Sequence, residues 1–480
     1  MFLGIDIGTS GVKTVLLSES GALVEQSSVA LTVRRPHPLW SEQKPEDWWD
    51  AADRAVRALA PGLRKSVRAI GLAGQMHGAT LLDREAKPLR DAILWNDGRS
   101  AEQARRMNEL VPEMRAITGN EAMPGLTAPK LLWVKEHEPE IFDRISKVLL
   151  PKDYVRLRMT GDFASDVSDS SGTLWLDGHT RVWSERMLSA CHLDEGNMPT
   201  VQEGVEITGT LRRSVADRWG MDIVPVVAGA GDNAAGAFGC GVVNSGDAML
   251  SLGTSGVIFA ACDSFVPGPA GGIHCFAHCV PARWSLMSVH LAAASCVEWG
   301  CAALKIDDVR EFFELAEGVE ASVGHELFFP YLSGERTPFN DPTLKGSLHN
   351  IGHDTDRARI ARAILEGVAF AFADGIEAMA EAGVRPERLR VVGGGARSLQ
   401  WGQIIADTLN VTLDFPEHGE VGPALGAARL AAFATQEGAA QQPRILNRIH
   451  PDPTGSEYLR EKRRAFQKIQ RLIVNKEIRP

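Results

Sequence analysis

Residues 1–17, MFLGIDIGTSGVKTVLL, return in their core at residues 248–260 as AMLSLGTSGVIFA. Ile7-Gly8-Thr9-Ser10-Gly11-Val12 and Leu252-Gly253-Thr254-Ser255-Gly256-Val257 read as the same strand–turn–strand, once in each half of the chain. The repeat predicts a duplicated domain. Asp6 stands before the first turn and Ser251 before the second.

The pattern extends outward from each turn. Leu3–Ile7 is apolar almost throughout, as a strand buried on both faces would be. Val12–Ser18 and Ala22–Val33 follow, with Glu19-Ser20-Gly21 between them, which predicts an antiparallel meander. Pro45 opens the helix PEDWWDAADRAVRALA, with Glu46 and Asp47 suiting its positive end. Val67–Ala73 is the next strand. In the second half, Ala248–Ser251, Val257–Ala261 and Trp284–Ser288 read as strands. Leu291–Ala303 and Arg357–Gly383 read as helices, and Pro386 follows the second. Leu389–Val392 is a strand, Gly393-Gly394-Gly395 a turn, and Ser398–Leu409 a helix. The class is α/β with mixed sheets.

A length of 480 residues fits two large or three average domains. Asn244-Ser245-Gly246-Asp247 is the best boundary, giving domains of residues 1–243 and 244–480. The stretch from about Gln436 is polar and basic and predicts a peripheral helix or tail.

The net charge is −10 and no basic run stands out, so nucleic acid is not an expected partner. No stretch reaches the ~20 uninterrupted apolar residues of a membrane helix, so none is expected. A strand follows Met1 directly, so no secretory leader is expected. The seven cysteines contain no Cys-x-x-Cys and fit reduced thiols in the cytoplasm.

Glycines bounding Gly-Thr-Ser-Gly let backbone amides approach an anion, and the hydroxyls add donors. One such turn is weak evidence, since many hairpins end this way. Two at equivalent places make a cleft able to grip a polyphosphate from both sides. Asp6 can then hold Mg2+ through water, while a second carboxylate at Ser251 would repel the phosphates. No Gly-x4-Gly-Lys-Ser/Thr loop is present. Gly229-Ala230-Gly231-Asp232-Asn233-Ala234 has the spacing of a dinucleotide fingerprint. Asp232, however, is wrong in charge for a cofactor phosphate and right for a base aimed at a hydroxyl. Gly393-Gly394-Gly395 could let a nucleobase lie on bare backbone, or be only a tight turn. His77, in Gln75-Met76-His77-Gly78, can reach a ligand or be satisfied by its neighbours. Trp95-Asn96-Asp97-Gly98-Arg99 suits a sugar or a structural turn. In His274-Cys275-Phe276-Ala277-His278-Cys279, strand alternation separates the histidines from the cysteines. Four ligands then cannot converge on one zinc.

Together these motifs resemble the FGGY carbohydrate kinases over nearly the whole chain. GIDIGTSGVK is similar to the family's first phosphate hairpin, LSLGTSGV to its second, and VVGGGARSLQWGQIIAD to its adenosine segment. Gly125–His137 fits the first family signature. GSLHNIGHDTDRARIARAILEG resembles the second, with Asn350 where a glycine is usual and Arg359 where an acid or amide is usual. RPHPLWSEQ, AGQMHGAT, GAGDNAAGA and PYLSGERTPFNDP point to a branch acting on D-xylulose.

The resemblance implies an actin-like ATPase (ribonuclease H-like) fold, with two duplicated domains around a cleft for MgATP and sugar. It implies Asp232 as catalytic base and Met76, His77 and Asn233 as sugar contacts. It assigns Gly8, Thr9, Ser10, Lys13, Gly253, Thr254, Gly394 and Gly395 to the nucleotide, and Asp6 to the metal. The expected small-molecule partners are D-xylulose and ATP. A homodimer stays open, as do another ketopentose or polyol as acceptor and an ATPase that moves protein partners. The roles of Arg336 and Asp341 stay open too.

Overall fold

The structure is a computed structural model that describes residues 1–319, 324–435 and 442–475. In the first half, β1 (Phe2–Ile7), β2 (Gly11–Leu17) and β3 (Leu23–Ala30) form the antiparallel meander. Helix α1 (Pro45–Ala58) buries Trp48, Trp49 and Val56. The chain then returns as β4 (Ala69–Gly74), parallel to β1 and buried along its whole length. β5 (Pro225–Val227) lies parallel to β4, and strand Ile207–Thr210 caps that edge. The sheet order is therefore β3-β2-β1-β4-β5, and α2 (Asp232–Gly239) leaves its end.

The second half repeats this order. β6 (Ala248–Leu252), β7 (Gly256–Cys262) and β8 (Trp284–His290) are antiparallel. α3 (Arg357–Glu381) crosses to β9 (Arg388–Val392), parallel to β6. α4 (Leu399–Leu409) leads to β10 (Thr412–Pro416), parallel to β9, and α5 (Pro423–Thr435) follows. The order β8-β7-β6-β9-β10 matches the first sheet, as the duplication predicts. This is the two-domain α/β architecture of the actin-like fold.

Each half lends a helix to the other. α5, from the second half, lies on β1 and β4 of the first sheet, where a Cβ on Gly4 or Gly71 would stand 2.0 or 1.9 Å from the carbonyl oxygens of Ala424 and Ala427. Ala234, Ala237 and Phe238 of α2 share a buried cluster with Met249, Val257, Phe259 and Met287 of the second sheet. α2 and α5 thus pack across the join between the sheets.

The segment between β4 and β5 builds a separate core around Leu131, Val134, Trp175 and Met187. It is fastened to the second half. Trp284 Nε1 donates to the Gly178 carbonyl at 2.6 Å, Ala277 N to Ser171 Oγ at 3.0 Å, and Asn120 Nδ2 to the Cys275 carbonyl at 2.9 Å.

The C-terminal stretch departs from expectation. Gln436 lies outside the described residues, but Ile445–Ile449 pairs with β10 as an edge strand. Helix Pro453–Val474 buries Leu459, Phe466 and Ile473 in the second core. Its basic face also serves the core, since Lys462 Nζ meets Glu366 Oε2 at 2.6 Å. The stretch is thus part of the fold. Among the described residues, no helix is long and apolar enough to cross a membrane.

Candidate active site

A cavity of about 390 Å³ opens between the two sheets. Its wall includes Asp6, Lys13, Met76, His77, Asp232 and Asn233 from the first half and Gly253 from the second. The residues of these separate motifs therefore meet in one space.

Asp232 begins α2, where the helix dipole favours a carboxylate. Asn233 donates to Asp232 Oδ1 from its backbone N at 2.7 Å and from Nδ2 at 3.0 Å. Among the described residues nothing donates to Oδ2, which is left for a hydroxyl. Burial pushes the carboxyl up to about 6, and the Asn233 hydrogen bonds hold it from rising further.

Asp6 is the next-to-last residue of β1, opposite Lys13. Burial, then the charge of Asp232, raises its carboxyl to about 7, against the pull of Lys13. Among the described residues, its Oδ1 has no hydrogen-bond partner and is buried. Such an oxygen beside a second carboxylate fits a hard divalent cation. No group of three or more metal-ligating side chains is present among the described residues.

The hairpin tips differ from expectation in detail. The amides of Gly8 and Gly253 close their own turns, onto the Gly11 and Ser255 carbonyls at 3.0 and 3.1 Å. Thr9 Oγ1 donates to Gln75 Oε1 at 2.8 Å and accepts from Trp95 Nε1 at 2.9 Å. Its hydroxyl is thus engaged, leaving its amide for an anion. The Thr254 carbonyl accepts from Ala293 N and Ser295 N, fixing the second tip to the helix Ala294–Leu304. Gly8, Thr9, Ser10, Thr254, Gly394 and Gly395 lie outside the cavity wall itself. Of the glycines at 393–395, the one that lines it is Gly393, whose φ of 93° no other residue adopts easily, and where a Cβ would stand 2.7 Å from the Leu252 carbonyl.

His77 sits at φ 69°, an unusual conformation for a residue with a Cβ. Its Nδ1 lies 2.9 Å from the Gly172 carbonyl. A carbonyl only accepts, so Nδ1 carries the proton and Nε2 is an acceptor. Burial, then the charge of Lys130, keeps the ring neutral. Lys130 Nζ fixes this corner by donating to the His77 and Gly125 carbonyls at 2.8 and 2.9 Å.

Behind the site lies a fully buried ion cluster. Lys152 Nζ is 2.6 Å from Asp153, 2.8 Å from Asp166 and 3.5 Å from Asp169. Burial alone would discharge the lysine, but the carboxylates outweigh it and keep it protonated. Asp166 accepts from Ser168 N at 2.7 Å, and Ser168 Oγ accepts from Gly231 N at 3.2 Å, one residue before the base. Nothing in the sequence marked this cluster. Its only signal is Lys152-Asp153 set among apolar residues.

His274 and Arg336 also line the cavity, as do Trp95 and the loop Gly419–Pro423. His274 faces the cavity, while Cys275 lies in the second core. The strand ends at Ala277, so alternation stops there, and His278 Nε2 lies 3.1 Å from the Val242 carbonyl.

The N-terminal domain of the FGGY family of carbohydrate kinases matches residues 1–239, and the family's C-terminal domain matches residues 248–435. The chain belongs to the FGGY carbohydrate kinases. Among FGGY relatives, the Escherichia coli xylulose kinase is 54% identical over 90% of each chain. The Klebsiella pneumoniae xylulose kinase is 49% identical over 98% of each. A Brucella ovis crystal structure described as a xyloylose kinase superposes with a TM-score of 0.93, at 45% identity over 98% of both chains. Membership makes the chain an ATP-dependent sugar kinase, and the cavity between its halves is the candidate site of that chemistry.

Proposed function

We propose that the chain transfers the terminal phosphoryl group of ATP to O5 of D-xylulose, giving ADP and D-xylulose 5-phosphate in the breakdown of D-xylose. The observation that carries this reading is the Asp232 carboxyl. It lines the cavity with Asp6, Met76 and His77, and among the described residues one of its oxygens takes no hydrogen bond. The names of the relatives supply the acceptor.

Phosphoryl transfer has a loose transition state, so positioning matters more than covalent help. Asp232 orients the O5 hydroxyl and takes its proton as the new O–P bond forms. Met76, His77 and Asn233 hold the sugar. Lys13, the turns at Gly8-Thr9-Ser10 and Gly253-Thr254, and Gly394-Gly395 hold the nucleotide. Asp6 would hold Mg2+, which would neutralise charge on the phosphates. Domains of residues 1–243 and 244–480 close over the ligands and keep water, at roughly 55 M the competing nucleophile, from the phosphoryl group. The protein works in the cytoplasm.

The test is ADP formation with D-xylulose, L-xylulose, D-ribulose, L-ribulose and glycerol. The reading requires D-xylulose to give the highest kcat/KM. ATP turnover indifferent to every sugar would contradict it.

A further inference from the structure

Arg336 belongs to the second half, in the loop after Tyr331, yet it lines the cavity beside first-half residues. A Cβ on Gly125 would stand 3.9 Å from its Nη2. Among the described residues, its guanidinium has no hydrogen-bond or ion-pair partner. The nearby Glu335 carboxylate is turned elsewhere, accepting from Leu291 N at 3.0 Å and Arg336 N at 2.8 Å. A partly buried guanidinium left unpaired in a cavity needs an acceptor, because burying a charge without one is costly.

Its neighbours are of the opposite kind. His77 offers only an unprotonated Nε2, as shown above. His274 Nδ1 lies 3.0 Å from Asn120 Oδ1. Asn120 Nδ2 donates to the Thr118 and Cys275 carbonyls at 2.8 and 2.9 Å, so Oδ1 is the acceptor and His274 Nδ1 the donor. His274 Nε2 is then an acceptor too. Burial, then the charge of Arg336, brings His274 down to about 3, so it stays neutral at working pH. This stretch of wall holds one donor-only fork and two acceptor nitrogens.

Met76 packs against Gly231, next to the base, and the His77 ring lies against Gly172. The Phe276 ring neighbours both histidines, its centroid 6.3 Å from that of His77 and 5.2 Å from that of His274, and the charge of Arg336 acts on both. With O5 at Asp232, the far end of a five-carbon ketose is C1 and C2. The C2 carbonyl oxygen only accepts, and the flanking hydroxyls can donate.

We propose that Arg336 is a specificity-determining residue that donates to the C2 carbonyl oxygen of the ketose, with His77 and His274 accepting from neighbouring hydroxyls. The proposal rests on the D-xylulose reading. An alditol offers no carbonyl oxygen there. Because Arg336 and His274 come from the second half, the sugar is read by both halves at once.

The test is steady-state kinetics of the full chain and of Arg336→Met and Arg336→Lys. The acceptors are D-xylulose and its two reduction products, xylitol and D-arabinitol. Arg336→Met is expected to raise KM for D-xylulose about 10–100-fold, the worth of a hydrogen bond to a charged group, with KM for ATP within about twofold. Its preference for ketose over alditol should fall by a similar factor, and Arg336→Lys should restore part of both. D-xylulose kinetics unchanged in Arg336→Met would overturn the proposal. If neither variant folds, the unmodified chain decides. Turnover of either alditol as efficiently as of D-xylulose overturns the proposal, and a preference for the ketose of at least ~10-fold supports it. A chain that phosphorylates glycerol or a ribulose but not D-xylulose fails at the acceptor assignment, a result separable from all of these.

Discussion

At the tip of β1–β2, Ile7 pairs with Val12 and encloses Gly8–Gly11; at the tip of β6–β7, Leu252 pairs with Gly256 and encloses Gly253–Ser255. Five identical residues thus fold into hairpins one residue out of step. A single-residue slip changes which side chains face which partner. Lys13 comes to lie opposite Asp6 in the first, while Ser251 faces Val257 in the second. The first tip is tied through Thr9 to Gln75 and Trp95, on the side of Met76 and His77. The second is fixed to a helix start through the Thr254 carbonyl. The lesson is that duplication copied the shape and left the chemistry unequal. One tip brings a carboxylate beside the base, and the other brings none.

The sharpest way to break that comparison is to remove the base. Asp232→Ala should lower kcat by about 10²–10⁴-fold, with a smaller change in sugar KM. Near-normal turnover would end the role given to Asp232.

The first half also carries the buried cluster behind the base. Lys152→Met leaves Asp153, Asp166 and Asp169 without their counter-charge, and should cost about 3–5 kcal/mol of stability in denaturant unfolding. A loss under about 1 kcal/mol would mean that the cluster is not the support described here.

Making the tips alike should harm nucleotide binding. Ser251→Asp places a second carboxylate near the phosphates and should raise KM for ATP about tenfold, by like-charge repulsion at an effective dielectric near 20. An unchanged KM would mean that the serine's identity is irrelevant there.

The pH profile follows from Asp232. The base works ionised, and its carboxyl is held up at about 6. So kcat/KM for sugar should be level above that pH and fall about tenfold per unit below it. A limb near pH 4 would mean that the carboxyl is not desolvated as described. The smallest effect is in shape. D-xylulose should reduce the radius of gyration in small-angle scattering as the halves close, and an unchanged radius would count against closure.

Much of this was readable in advance where a local rule governs. The β1–β2–β3 meander, α1, β4 and their second-half counterparts follow from apolar runs punctuated by glycine and proline. The duplicated topology follows from the repeated turn, and the gathering of Asp6, His77 and Asp232 was anticipated through the family resemblance. What escaped depends on distant packing. Whether Arg336 pairs with its neighbour Glu335 or faces a cavity is decided by where Leu291 N sits. The hairpin slip leaves no trace in five identical residues. The C-terminal helix hides its core face because Leu459, Phe466 and Ile473 are spaced among basic residues that also bond inward.

The central claim is tested most directly by a crystal structure with D-xylulose and a non-hydrolysable ATP analogue. The account predicts the triphosphate between the two glycine hairpins, and the O5 hydroxyl within hydrogen-bond distance of the free Asp232 oxygen, facing the terminal phosphorus. A triphosphate remote from both hairpins, or a sugar whose O5 turns away from Asp232, would contradict it.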